Sequence, residues 1–173
     1  METLRLTEHF LLGEFIKSET ADRLGIDNRP PSDFVPRLEN LCRQVLEPLR
    51  EWAGEPVMIT SGYRCPELNR RVGGVPSSQH TLGLAADIRL PQTDAAWGDG
   101  HRHTDMVKGR EWLDFIVNHT DFDEVIMETS NRKDFWLHVS CQPDLDKNRH
   151  KVIRFMLKKN FAVVAIRNYQ LCR

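Results

Sequence analysis

Val35, Leu38, Leu41, Val45, Leu49 and Trp52 recur at steps of three and four residues. That spacing puts them on one stripe of a helix and predicts a helix from about 33 to 52 with all six side chains buried. Pro48 falls inside the pattern, where it lacks an N–H and crowds the preceding turn, so the helix is expected to kink or divide there. Gly54 supplies the stop. Short apolar runs follow. "PVMITSGYR" reads as a strand running into a turn at Ser61-Gly62, and "CPELNRRVGG" as a short helix closed by two glycines. "GLAADIRL" is the next strand, and its mostly apolar run predicts burial on both faces.

A second helix covers roughly 104–118, with Met106, Trp112, Phe115 and Ile116 inward. "FDEVIMET" and "FWLHVSC" read as strands joined by the polar turn "SNRKD". "HKVIRFMLKK" is a further strand, or alternatively a helix, and "FAVVAIR" is a strand. Helices first and adjacent strands afterwards argue for an α+β domain on a mostly antiparallel sheet. Residues 1–31 read as an N-terminal arm packed on a single domain formed by 32–173. Within the arm, "TEHFLLGEF" is amphipathic and "SETADRLG" is a capped helical turn, with Ser18 as N-cap and Gly25 as stop. "LPQTDAAWGDGHRHTD" is a long polar loop.

Composition narrows the classes of partner. With 173 residues, 40 % of them hydrophobic and 28 % charged, the chain is long enough for one core and is not disordered by composition. A net charge of −1 gives no reason to expect nucleic acid or an anionic membrane as partner. No apolar run reaches the length of a membrane span. No basic segment followed by a long apolar stretch opens the chain, so synthesis in the cytoplasm is expected, with lysis or another export route needed to act outside it. Cys42, Cys65, Cys141 and Cys172 are scattered without a C-x-x-C pair, which reads as free thiols.

The stretch "SSQHTLGLAAD" joins His80 to Asp87 through small residues that let the backbone fold tightly. A catalytic Zn²⁺ site takes three His, Asp or Glu ligands and leaves a fourth position open. In "FWLHVS" the two-residue period sends Trp136, His138 and Ser140 to one face and the core-forming Leu137 and Val139 to the other. His138 therefore faces a surface or cleft, where a third ligand belongs. On spacing alone, each histidine is more often a hydrogen-bonded structural residue than a ligand, and H-x6-D is far less diagnostic than H-E-x-x-H.

Taken together, "SGYRCPELNRRVGGVPSSQHTLGLAADI" and "WLHVS" resemble the zinc peptidases that include D-alanyl-D-alanine carboxypeptidases, vancomycin-resistance dipeptidases, phage cell-wall endopeptidases and the hedgehog signalling domain. The shared order is S-G-Y-R, S-x-H-x6-D, then W-x-H-x-S, over roughly residues 35 to 155, and it is most similar to the phage-like branch. The resemblance implies a hedgehog/DD-peptidase-like α+β fold and zinc held by His80, Asp87 and His138. It further implies Arg64 as a substrate or oxyanion contact and Ser78 as a pocket residue. Relatives place the general base either three residues before the last histidine, which is Phe135 here, or about six before it, on the preceding strand. Glu128 fits the second arrangement if "SNRKD" is an enlarged turn; Asp134 is the runner-up, and absence of a base is the third possibility. Trp136 stands where several relatives carry a histidine; it can shape a pocket and donate one hydrogen bond but not shuttle protons. His101 and His103 lie in the polar loop outside the resemblance and read as solvated. His9, His119 and His150 show no partner pattern.

The function so implied is a zinc metallopeptidase acting on peptidoglycan stem peptides. The alternative is a weakly active or inactive zinc-binding module of hedgehog-like fold that recognises cell wall or a protein partner.

Overall fold

The computed structural model describes residues 3–93, 102–131, 134–159 and 162–167. Two short helices, α1 (Leu12–Ile16) and α2 (Glu19–Leu24), come first. Ser18 caps α2 by accepting from the Ala21 N–H, and Gly25 ends it at a left-handed φ of 63°. Leu6, Phe10, Leu12 and Phe15 of this N-terminal segment are buried in the same core as the helices and sheet that follow.

The helix expected over 33–52 is built from joined pieces: a 3-10 turn at Ser32–Phe34, α3 (Val35–Leu41), a π turn at Cys42–Leu46, and α4 (Glu47–Ala53). Pro48 accounts for the π turn. Its ring needs room near the Gln44 carbonyl, and the widened turn supplies it, with the Glu47 N–H reaching back to the Cys42 carbonyl. Leu38, Leu41, Val45 and Leu49 of the predicted stripe are fully buried, and Val35 packs at the core's edge. Trp52 departs from it: the side chain is 50 % exposed and stacks on Phe115 at 4.5 Å. The π turn widens the inward stripe: Leu46 joins Val45 and Leu49 in the core, and Ala53 takes the place expected for Trp52.

Among the described residues the sheet has six strands in the order β1-β2-β4-β3-β5-β6. They are β1 (Ile59–Ser61), β2 (Ala85–Arg89), β3 (Glu124–Thr129), β4 (Phe135–Ser140), β5 (Lys151–Lys159) and β6 (Ala162–Arg167). All neighbours are antiparallel except β3 and β5, which run parallel. "HKVIRFMLKK" is thus a strand. α5 (Pro66–Arg71) follows β1, and α6 (Met106–His119) begins at Asp105, whose carboxylate accepts from the Val107 and Lys108 N–H groups. The polar loop before α6 is closed at its base by a bridge between Gln92 and Thr104; His101 lies outside the described residues.

One face of the sheet carries the core. Ala86 and Ile88 of β2, Val125 and Met127 of β3, and Leu137 and Val139 of β4 meet α3, α4 and α6 there, with Trp112, Leu113 and Ile116 supplied by α6. Burial of β2 on both faces is not found: Asp87 and Arg89 point to the opposite, partly open face. Helices cover only one side, so the other is left for polar groups. No described helix is long and apolar enough to cross a membrane. Cys42, Cys65 and Cys141 are free thiols, and Cys172 lies outside the described residues.

Candidate metal centre

Strand register assembles most of the open face. Asp87 of β2 and Ile126 of β3 both pair with His138 of β4, and the next pair along, Glu128 with Trp136, stands on the same side. His80 comes from outside the sheet, on a 3-10 turn at Gln79–Leu82. Gly83, left-handed at φ 69°, turns the chain from there into β2, and a Cβ at this position would meet the Phe34 Cβ at 3.2 Å.

These elements bring three lone-pair atoms together. His80 Nε2 is 3.2 Å from Asp87 Oδ1 and 3.1 Å from His138 Nδ1, and the last two are 3.0 Å apart. Tetrahedral coordination at bonds of about 2.0–2.1 Å separates neighbouring ligand atoms by about 3.3 Å, so the triangle has the dimensions of three corners around one small cation. His80 Nδ1–H donates to the Gly62 carbonyl at 2.7 Å, which leaves Nε2 bare toward the site. Burial lowers the His80 pKa to about 4 despite the attraction of Asp87, so the ring is neutral at physiological pH. Two imidazole nitrogens and a carboxylate oxygen are a donor set that fits Zn²⁺, and other divalent ions as well. Among the described residues this is the one cluster of histidine, cysteine or acidic groups with metal-binding spacing.

The triangle lies in a cleft of about 970 Å³ that also receives Arg64, Ser78, Glu128 and Trp136. Glu128 is buried, and its Oε2 accepts from Trp136 Nε1–H at 2.9 Å. Arg64 is half-buried, and burial lowers its pKa against the pull of the Asp87 and Glu128 carboxylates, which line the same cleft. Its Nε is buried and has no hydrogen-bond partner among the described residues. Asp134 sits outside the cleft lining, exposed in the turn and bonded to Asn131. His103 does not line the cleft either. His9 pairs with Glu47, His119 packs on the Phe115 ring and His150 on Phe122.

Four residues around the site act through partners distant in the chain. Asn28 donates to the Ile16 and Tyr63 carbonyls and accepts from the Cys65 N–H, gripping the chain on both sides of Arg64. Gly62 lies so close to α1 that a Cβ would stand 2.5 Å from the Phe15 backbone. Gln79 and Asp123 form a hydrogen-bonded pair behind His138. Only the folded backbone reveals these partners; "DNRPPS" and "FDE" read as a loop and a strand start.

The family model described as Peptidase M15 matches residues 8–122. The match thus includes the N-terminal segment, His80 and Asp87, and stops short of the strands bearing Glu128 and His138. Among curated proteins, none matches the chain. Covering two thirds of the sequence, the family match carries the assignment: the chain belongs to the peptidase M15 family.

Proposed function

We propose that the chain is a zinc metallopeptidase that hydrolyses peptide bonds in the stem of bacterial peptidoglycan, on substrates containing D-amino acids. The observation that carries this reading is the triangle of His80 Nε2, Asp87 Oδ1 and His138 Nδ1, in a cleft shared with a buried carboxylate and a half-buried guanidinium. Family membership supports peptide hydrolysis as the reaction. The ordered motifs S-G-Y-R, S-x-H-x6-D and W-x-H-x-S, similar to those of cell-wall peptidases, support the substrate class.

Zinc held by these three residues would polarise the scissile carbonyl and acidify a water at its open position. Glu128 takes the proton of the attacking water on its carboxylate and returns it to the leaving amine. The Trp136 indole N–H, bonded to Glu128 Oε2, fixes the direction of that carboxylate. Arg64 offers donors that nothing else in the described structure fully uses, and pairs with the developing oxygen anion or with a carboxylate of the peptide. Ser78 and Trp136 form part of the wall against which the peptide lies.

The test is metal analysis of the purified chain followed by digestion of muropeptides with D-amino-acid stems. One zinc per chain and release of a stem fragment are expected. Stoichiometric zinc with every stem bond intact would favour the binding-module alternative.

A further inference from the structure

We propose that Gln79 is a positioning residue for the metal centre: its side-chain amide, clamped by Asp123, sets which nitrogen of His138 carries the proton. The inference rests on the metal reading of His80, Asp87 and His138.

Gln79 Nε2 lies 2.6 Å from Asp123 Oδ2, and Gln79 Oε1 lies 3.4 Å from His138 Nε2. An ionised carboxylate only accepts, so the amide nitrogen must be the atom that faces Asp123. Asp123 is ionised because the Arg149 side chain donates to it twice, at 2.8 and 2.7 Å, and the Arg149 backbone N–H and Gln142 add further donors. With its nitrogen so committed, the amide turns its oxygen to His138. That oxygen also only accepts, so His138 Nε2 must carry a proton, and in the neutral ring that a metal requires Nδ1 is then the bare nitrogen. The bare Nδ1 is the atom in the triangle with His80 and Asp87.

The two histidines are thereby set in opposite senses. His80 keeps its proton on Nδ1, donated to the Gly62 carbonyl, and offers Nε2; His138 keeps its proton on Nε2, donated to Gln79 Oε1, and offers Nδ1. One 3-10 turn does both tasks, because Gln79 and His80 are adjacent on it. Asp123 is completely buried, and its backbone ties β3 to β4 and β5 through Ser140 and Lys151, so the anchor of the amide is rigid.

The experiment uses the full chain. Zinc affinity is measured by competition with a chromogenic chelator for wild type and Gln79→Leu, and the protonated nitrogen of His138 is identified by nitrogen-15 NMR of the zinc-loaded wild type. Loss of an outer-shell partner of this kind weakens metal binding by about 10–100-fold, and that loss is expected for Gln79→Leu. A slowly exchanging His138 Nε2–H signal is expected in wild type and not in the variant, a signature that a purely packing role for Gln79 would not give. A variant that binds zinc within about threefold of wild type would overturn the proposal, well short of the loss a positioning contact carries. A wild-type His138 protonated on Nδ1 would overturn it whether or not the variant folds. A wild-type chain that fails to bind zinc would remove the metal reading itself, and the positioning role with it.

Discussion

Asp87 and His138 face each other across β2 and β4, with Asp87 Oδ1 3.0 Å from His138 Nδ1. This pairing depends on strand register. Slipping β4 by one residue against β2 would bring Leu137 or Val139 opposite Asp87 and turn His138 into the core. Burial of Ala86, Ile88, Leu137 and Val139 on the other face holds the register, so the packing of the core also sets the spacing of the site.

Metal should therefore stabilise the folded chain. At a free concentration about 100 times its Kd, a ligand bound only by the native state adds about 2.7 kcal/mol. For a chain of this size that is a rise in Tm of about 5–10 °C. Zinc added to chelator-treated protein should give this shift in a thermal melt, and Asp87→Ala should show none. An equal shift in the variant would mean that the ion binds elsewhere.

Glu128→Gln separates chemistry from binding. The amide keeps the size of the side chain and can still accept from the Trp136 indole, but it cannot take a proton. Turnover of a cleaved stem peptide should fall by about 10²–10⁴-fold while zinc content stays at the wild-type level. Unchanged turnover would transfer the role of base to another group.

Gly62→Ala tests how the N-terminal segment supports the site. The new methyl would collide with the Phe15 backbone, which cannot move aside as a side-chain tip could, and Gly62 also supplies the carbonyl that orients His80. A cost of about 1–3 kcal/mol in urea unfolding is expected, with weaker zinc binding alongside it. Stability and zinc affinity both at wild-type values would show that α1 yields without effect on the site.

Asp123 predicts a pH dependence with a definite sign. Burial pushes its carboxyl up, but Arg149, Gln142 and Gln79 outweigh that and hold it well below the ordinary range. A depressed folded pKa contributes stability that is present above the unfolded value of about 3.9 and drains away as pH falls through the folded one. Asp123→Asn should cost about 2–3 kcal/mol at pH 7, and the gap from wild type should close progressively below about pH 4. A gap that stays constant in acid would show that the carboxylate's charge is not what stabilises the fold.

Much of the site is legible in sequence because two of its parts obey local rules. Leu137 and Val139 alternate with His138, and small residues join His80 to Asp87, so the site-facing positions follow from the order of residues alone. Trp52 escapes the helical period because a π turn inserts one residue into an otherwise regular stripe, and the period cannot register that insertion. The open face of β2 is hidden for a different reason. A short apolar run does not say whether a second layer covers it, and Asp87 is the residue within it that hints at a cleft. Asn28, Gly62, Gln79 and Asp123 act through partners brought close only by folding, and no spacing rule connects Asn28 to Tyr63 or Asp123 to Gln79.

The central claim is most directly tested by anomalous X-ray scattering across the zinc absorption edge, from crystals grown with zinc. A single anomalous peak bonded at about 2.0–2.2 Å to His80 Nε2, Asp87 Oδ1 and His138 Nδ1 is predicted. No peak among those three atoms, with zinc found only elsewhere on the molecule, would contradict the account.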